Sequence, residues 1–296
     1  MNADGAIHLT IGHSPDADDA FMWWPLGDAG AGEPAEIDCE GFVFTPIAED
    51  IEALNRRAQE AGDLDVTAMS FAAWARVADR YALTSSGASM GTGFGPKIVS
   101  AKPMATHTLR DATTRFAIPG VRTSAYLTLR LLLGRDPLHE AMGFDRVIPA
   151  VLAGEADAGL VIHEAQVTFA DDGLHLVEDL GVWWARETGL PLPLGANAIR
   201  RDLDERFGGG TSERLSRVLR RSIEHAMGNR ERSLDVAQRF APEQSRESID
   251  RFVALYVNDL TVDMGERGSA AVRRLLEEAA GAGLLPRVAS PEPVVG

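Results

Sequence analysis

Cysteine is nearly absent from this 296-residue chain, and Cys39 is the only one. A lone thiol excludes an internal disulfide framework and the cysteine-built zinc sites. Its expected role is small buried filler. Long hydrophobic runs are missing too. No stretch approaches the roughly 20 apolar residues that a membrane-spanning helix needs. The opening, Met1-Asn2-Ala3-Asp4-Gly5-Ala6-Ile7-His8, carries no basic segment and leads into a strand-length apolar run. That is unlike a secretory leader, so a cytoplasmic protein with no membrane association is expected. Positive charge is scarce, and the formal net charge is −15. Such a surface repels nucleic acid, whose binding depends on clustered Lys and Arg. An anionic ligand would need local donors: backbone N–H groups, hydroxyls or a helix N-terminus.

Several catalytic signatures are also missing. There is no His-Glu-x-x-His, no histidine pair at metal spacing and no Gly-x-Ser-x-Gly elbow. Gly91-Thr92-Gly93-Phe94-Gly95-Pro96-Lys97 lacks P-loop spacing and precedes a strand, which excludes a phosphate cradle. No metal or cofactor site is therefore expected.

What is present reads as an alternating α/β chain. Its length and 45% hydrophobic content suggest two domains of about 150 residues. Strands are predicted at 6–12, 36–46, 64–70, 97–100, 115–118, 157–162 and 194–199. Helices are predicted at 49–60, 71–79 and 124–133, and one starts after Ser14–Asp19. Residues 144–152 read as a strand and helix start. Residues 181–193 read as irregular and aromatic. From Ser212 the chain reads as helical at 212–227, 231–240, 245–257 and 267–282. The tail from Leu284 reads as loop, with part of it disordered.

His163 ends the apolar run Ala158-Gly159-Leu160-Val161-Ile162-His163-Glu164. The run places an imidazole at the carboxyl tip of a buried strand, where α/β proteins gather ligands. A core-edge histidine bonded to a backbone carbonyl is the competing reading. Glu164 is expected to face away from His163, because strand neighbours alternate. Ser14 to Asp19 forms a turn into a helix and offers a hydroxyl and free N–H groups. It reads equally as simple capping by Ser14 or Asp16, with Asp18 and Asp19 as first-turn acids. Ser70 sits where a strand meets a helix, and Asn55 points toward the same crevice. Each alone is more often a cap or a surface polar residue. Gly120-Val121-Arg122-Thr123-Ser124-Ala125-Tyr126 opens a helix with consecutive hydroxyls, a fitting cradle for a carboxylate.

Taken in order, these segments resemble the menaquinone biosynthesis family of the futalosine pathway. The likeness rests on Gly12–Phe21, Asp50–Asn55, Gly87–Gly91, Gly95-Pro96, Ile118–Gly120 and Thr123–Tyr126. It continues through Gly159–Glu164, Trp183-Trp184 and Thr188-Gly189-Leu190-Pro191-Leu192-Pro193-Leu194-Gly195, and covers about residues 7–285. The His-Glu and Thr-Gly-Leu-Pro-Leu-Pro-Leu-Gly segments resemble the family's 1,4-dihydroxy-6-naphthoate synthase branch rather than its chorismate dehydratase branch.

The resemblance implies a two-lobe fold of the type II periplasmic-binding-protein kind, with two crossover strands and a helical C-terminal region. One lobe would hold residues 1–97 and 198–296, the other residues 98–197. It implies a carbon–carbon lyase that converts cyclic dehypoxanthinyl futalosine to 1,4-dihydroxy-6-naphthoate, with no cofactor. His163 would be the general base. Ser14, Asp19, Asn55, Ser70, Thr123 and Ser124 would bind a small carboxylate substrate. A homodimer is a further expectation. The family's common opening, Ser-Pro-Cys-Pro-Asn-Asp-Thr-Phe, is altered here: Asp16, Ala17, Asp18 and Ala20 replace its Cys, first-turn Pro, Asn and Thr. Asp19 keeps the family position, which gives it the role of orienting substrate or His163; a first-turn helix acid is the other reading. The alternatives are a solute-binding protein of the same fold, chorismate dehydratase, or a paralogue with a related substrate.

Overall fold

A computed structural model describes residues 5–289 and 291–296. Met1–Asp4, where the opening was read as unlike a leader, lie outside the described residues. Two sheets organise the chain. The first contains β1 (Ile7–His13), β2 (Phe42–Ala48), β3 (Val66–Ser70), β4 (Tyr81–Leu83), β5 (Ser89–Gly91) and β11 (Leu192–Arg200). Its order is β2-β1-β3-β11-β4, with β5 also paired to β11. The second contains β6 (Lys97–Ser100), β7 (Arg115–Ile118), β8 (Leu138–Ala141), β9 (Ala158–Val161) and β10 (His175–Asp179), in the order β10-β6-β9-β7-β8. Strand β6 enters the second sheet and β11 runs its whole length in the first.

The strand chemistry follows position. In β1, Ile7, Leu9 and Ile11 are buried while His8 is exposed, the alternation of a strand with one face in the core. Every residue of β3 is buried, as expected for a central strand covered on both faces. Helices α1 (Ala17–Trp23), α2 (Ile51–Glu60) and α3 (Phe71–Trp74) follow β1, β2 and β3. Helix α4 (Ser124–Leu133) follows β7, α5 (Phe144–Leu152) follows β8 and α6 (Ala165–Thr168) follows β9. Helix α7 (Leu180–Thr188) leads from β10 to β11.

The C-terminal region is helical: α8 (Leu203–Phe207), α9 (Thr211–Gly228), α10 (Arg230–Phe240), α11 (Arg246–Tyr256), α12 (Asp259–Val262) and α13 (Gly265–Gly281). Helix α9 buries Leu215, Val218, Leu219, Ser222, Ile223 and Ala226, a stripe at helical spacing. It packs with α10 and α11 around α1. The C-terminal segment thus encloses the first helix of the chain. The tail is loop but tied down: Val294 exchanges backbone bonds with Leu83 and Ser85, and its carbonyl accepts from Ser216 Oγ.

Four expectations change. The helix predicted at 71–79 ends at Trp74 and continues as turns. Residues 181–193, read as irregular, begin as helix α7. Asp179 caps it by accepting from the Gly181 and Val182 N–H groups, and Gly189 ends it in the left-handed region. The cap lies before the aromatic segment, so that segment alone hid the helix start. Residues 144–152 are helix throughout rather than strand then helix. The strand predicted at 36–46 starts only at Phe42, because Glu40 and Gly41 turn the chain with positive φ. No helix of the described residues is long and apolar enough to cross a membrane.

Candidate active site

The carboxyl ends of β1, β3 and β9 converge on a cleft between the sheets, with a volume of about 750 Å³ including its open mouth. Ser14, Asp19, Ser70, Thr123, Ser124 and His163 all line it. Asn55 does not reach the cleft; it lies fully buried behind Ser70.

His163 lies two residues past the end of β9, with φ 54°. That left-handed backbone is uncommon for a residue with a Cβ, and the surrounding contacts hold it there. With its amide turned to satisfy its neighbours, Gln166 accepts the His163 N–H at 3.2 Å and donates to the Gly95 carbonyl at 2.6 Å, and the Tyr256 hydroxyl lies 2.6 Å from it. Phe144 packs edge-on against the imidazole at 4.7 Å. Asp16 Oδ2 lies 2.8 Å from His163 Nδ1, and both side chains are nearly enclosed, 6% and 11% exposed. His163 Nε2 is buried and has no hydrogen-bond partner.

Asp16 therefore has two tasks. One oxygen accepts from the Asp19 N–H as the N-cap of α1, and the other holds the imidazole. The sequence reading covered only the cap. Asp19 does not orient His163; its Oδ2 accepts from the Ser14 N–H at 2.7 Å. The Ser14 Oγ is buried in the wall beside Asp16. Glu164 makes no hydrogen bond to the ring, although both residues lie past the end of β9, where strand alternation no longer applies. It accepts the Ala17 N–H at 3.0 Å, the first free donor of α1.

The electrostatics follow from four carboxyl groups and one imidazole withdrawn from water. Burial disfavours the charged imidazole, yet Asp16, helped by Glu164 and Asp50, pushes His163 up to about 9. Burial also opposes charge on Asp16, but His163 and a hydrogen bond from Asp18 hold it well below the usual carboxylate range. Burial and the Asp16 charge drive Asp18 well above that range and Asp19 to about 8. Burial and Asp16 raise Glu164 as well. Close carboxylates cannot all ionise, so Asp16 carries the charge, and Asp18 and Asp19 hold their protons more tightly than ordinary carboxyl groups.

The facing wall offers neutral donors. Asn55 and Ser70 are locked reciprocally: Asn55 Nδ2 donates to Ser70 Oγ and Asn55 Oδ1 accepts the Ser70 N–H, both at 2.9 Å. Ser70 Oγ accepts in this pair, which leaves its own proton for a ligand. The Thr123 hydroxyl is spent on capping: it accepts the Tyr126 N–H at 3.1 Å and donates to the Gly120 carbonyl at 3.0 Å. The Ser124 and Ala125 N–H groups stand in the first turn of α4, where no intrahelical acceptor exists, and both residues line the cleft. Ser124 Oγ accepts the Ala72 N–H at 3.2 Å, a bond between the two halves of the wall. Outside the cleft, Arg122 clasps Glu52 at 3.0 Å and Gln59 at 3.0 Å, again joining the two halves.

This arrangement sets free N–H donors at a helix N-terminus in the same cleft as a pinned imidazole. Among the described residues no group of three His, Cys, Asp or Glu is placed to hold a metal ion. Sequence reasoning missed Asp16 as the partner of His163, and it missed Gln166, Tyr256 and Phe144. Nothing in the sequence signals the pairings of Asp16, Phe144 and Tyr256, which come from other elements, and Gln166 sits a single turn past His163 with no feature to mark it.

Comparison with known proteins gives a consistent picture. A family profile described as menaquinone biosynthesis matches residues 9–281. A 1,4-dihydroxy-6-naphthoate synthase of Thermus thermophilus is 41% identical, over 96% of this chain and 97% of its own. One from Streptomyces coelicolor is 37% identical, over 97% of this chain and 96% of its own. A solved protein from Archaeoglobus fulgidus shares 40% identity at a TM-score of 0.82, covering 94% of this chain and 98% of that one. The alkanesulfonate-binding protein of Xanthomonas axonopodis shares 15% identity at a TM-score of 0.69, covering 98% of both chains. That likeness is one of fold, and it gives the two-lobe periplasmic-binding-protein architecture. By profile, by relatives matched end to end and by fold, the chain belongs to the menaquinone biosynthesis family.

Proposed function

We propose that this chain is a cytoplasmic carbon–carbon lyase that converts cyclic dehypoxanthinyl futalosine to 1,4-dihydroxy-6-naphthoate, with His163 as general base. The observation that carries the reading is the geometry of His163. Its Nδ1 is fixed by Asp16, its Nε2 is buried and unpartnered, and the residue lines the cleft. An imidazole held at one nitrogen by a carboxylate presents the other in a fixed direction for proton transfer. The naming of two end-to-end relatives as 1,4-dihydroxy-6-naphthoate synthases supports the substrate class and the cellular setting.

The substrate carboxylate fits the N-terminus of α4, against the Ser124 and Ala125 N–H groups and the Ser70 hydroxyl. Nε2 takes a proton from the substrate. The electron pair left behind enters the ring, and the carbon–carbon bond to the sugar-derived fragment breaks with its own pair leaving on the fragment. Aromatisation supplies driving force, and the proton on Nε2 is available to the departing fragment. Asp16 stabilises the imidazolium that forms. Enclosure of the cleft keeps water from the intermediate.

The test is turnover of the cyclic substrate by purified protein beside His163→Ala, read by mass spectrometry. Naphthoate from the parent, with a loss of about 10²–10⁴-fold in the folded variant, is the expected result. Equal rates would remove His163 from the chemistry. Binding without product in the parent would favour a solute-binding protein of this fold.

A further inference from the structure

We propose that Asn197 is a substrate-specificity residue, its side-chain amide donating to an acceptor oxygen of the ligand on the first-sheet wall of the cleft. This rests on the function proposed above.

Asn197 lies on β11, in register with Ala68 of β3, while Gly195 two residues earlier is in register with Ser70. Strand periodicity puts Asn197 and Gly195 on one face of β11. Gly195 has no side chain to cover its neighbour, and all four residues line the cleft. Asn197 is 2% exposed, and its Nδ2 is buried without a hydrogen-bond partner. A buried amide left unpaired is costly, and native proteins keep few of them.

The surroundings keep the amide free. Gly87 lies directly against it with φ 79°, and a Cβ there would stand 1.9 Å from Nδ2. The backbone of Asn197 is meanwhile fully employed: its carbonyl accepts from the Thr84 N–H and Thr84 Oγ1. The strand is therefore fixed, and the side chain is held rather than mobile. A rigid, dehydrated donor in the cleft that also holds the unpartnered His163 Nε2 fits an oxygen-rich ligand. It discriminates against an analogue that lacks the oxygen, because the amide then stays unpaired.

The experiment compares parent, Asn197→Ala and Asn197→Asp in turnover of the cyclic compound. Binding is measured by calorimetry in the turnover-silent His163→Ala background, with and without each Asn197 change. Asn197→Ala is expected to raise KM and the binding constant by about 10–100-fold, with kcat within about threefold of the parent. Asn197→Asp, which places an acceptor where a donor stood, should bind more weakly still. Melting temperatures separate binding from folding: removing an unpaired amide leaves the apo protein at least as stable as the parent.

Unchanged affinity in both variants would overturn the assignment, as would parent-like binding by Asn197→Asp. A lost affinity that tracks a lowered melting temperature would overturn it in favour of a structural role. Absence of turnover in the parent would strike the proposed reaction alone, because the binding arm still decides Asn197. Absence of both turnover and binding would overturn the two together.

Discussion

Asp16 Oδ2 and His163 Nδ1 lie 2.8 Å apart, yet one residue caps the helix after β1 and the other follows β9 in the second sheet. The dyad exists only while the two sheets face each other at this separation. The proton transfer proposed for His163 therefore depends on that separation.

That relationship makes pH dependence a direct test. The charged groups acting on His163 are Asp16 and Asp19 at the start of α1, Glu164 beside it and Asp50 at the start of α2, with Asp18 coupled to Asp16. A base must be neutral to accept a proton, and His163 loses its proton only near pH 9. The parent's kcat/KM should therefore climb with pH toward that value. Asp16→Asn removes the nearest charge, so the rising limb should move to lower pH. The plateau should fall by roughly 10²-fold as the ring loses its orientation. A limb that stays in place would show that Asp16 does not set the basicity of His163.

Asp19→Asn tests the cost of crowding carboxyl groups. Its folded pKa of about 8 lies above the ordinary carboxylate value. A raised group contributes stability that is complete below its unfolded pKa and lost as pH rises through the folded value. The parent should lose stability between about pH 4 and pH 8 for this reason. Asparagine keeps an oxygen for the Ser14 N–H and carries no charge. The variant's melting temperature should match the parent at pH 4–5 and exceed it by a few degrees at pH 8. A melting curve that falls as steeply with pH in the variant would exclude this account.

Arg122→Ala tests closure from outside the cleft. The Arg122–Glu52 pair is 30% and 21% exposed, so the charge pair itself contributes only about 1 kcal/mol. It nevertheless spans the two halves of the wall. The variant should raise KM about fivefold and leave kcat nearly unchanged. Small-angle scattering should report a wider apo protein. An unaltered KM would show that the clasp has no part in closure.

Gly87→Ala should be far more damaging than an ordinary surface change. The left-handed backbone and the 1.9 Å approach to Asn197 Nδ2 together predict a loss of roughly 2 kcal/mol or more, read by chemical denaturation. A variant as stable as the parent would mean that the strand beside Gly87 yields easily.

Much of this protein is legible in its sequence. Alternation in Ile7–His13 and the stripe Leu215–Leu219–Ile223–Ala226 announce their elements, because burial of one face leaves its period in the residues. Helix Ser124–Leu133 is bounded as its cap and its lack of breakers suggest. The short strands Leu138–Ala141 and His175–Asp179 carry no such period. Both are edge strands, the first exposed throughout and the second burying only Val177 and Asp179, and pairing rather than patterning makes them strands. Local chemistry also marked Ser14, Ser70, Thr123, Ser124 and His163 as cleft candidates, since strand ends and helix starts are where donors are left unpaired.

What the chain alone determined was therefore the kind of element, its periodicity and the residues able to hold an anion or move a proton. The tertiary structure decided their partners. It set Asp16, an apparent helix cap, against His163, and it placed Asn55 behind Ser70 rather than in the cleft. It also left Asn197 unpaired beside Gly87. Hydrogen bonds and ion pairs act over a few ångströms in space. Separation along the sequence carries no trace of which remote groups the folded sheets will bring within that reach.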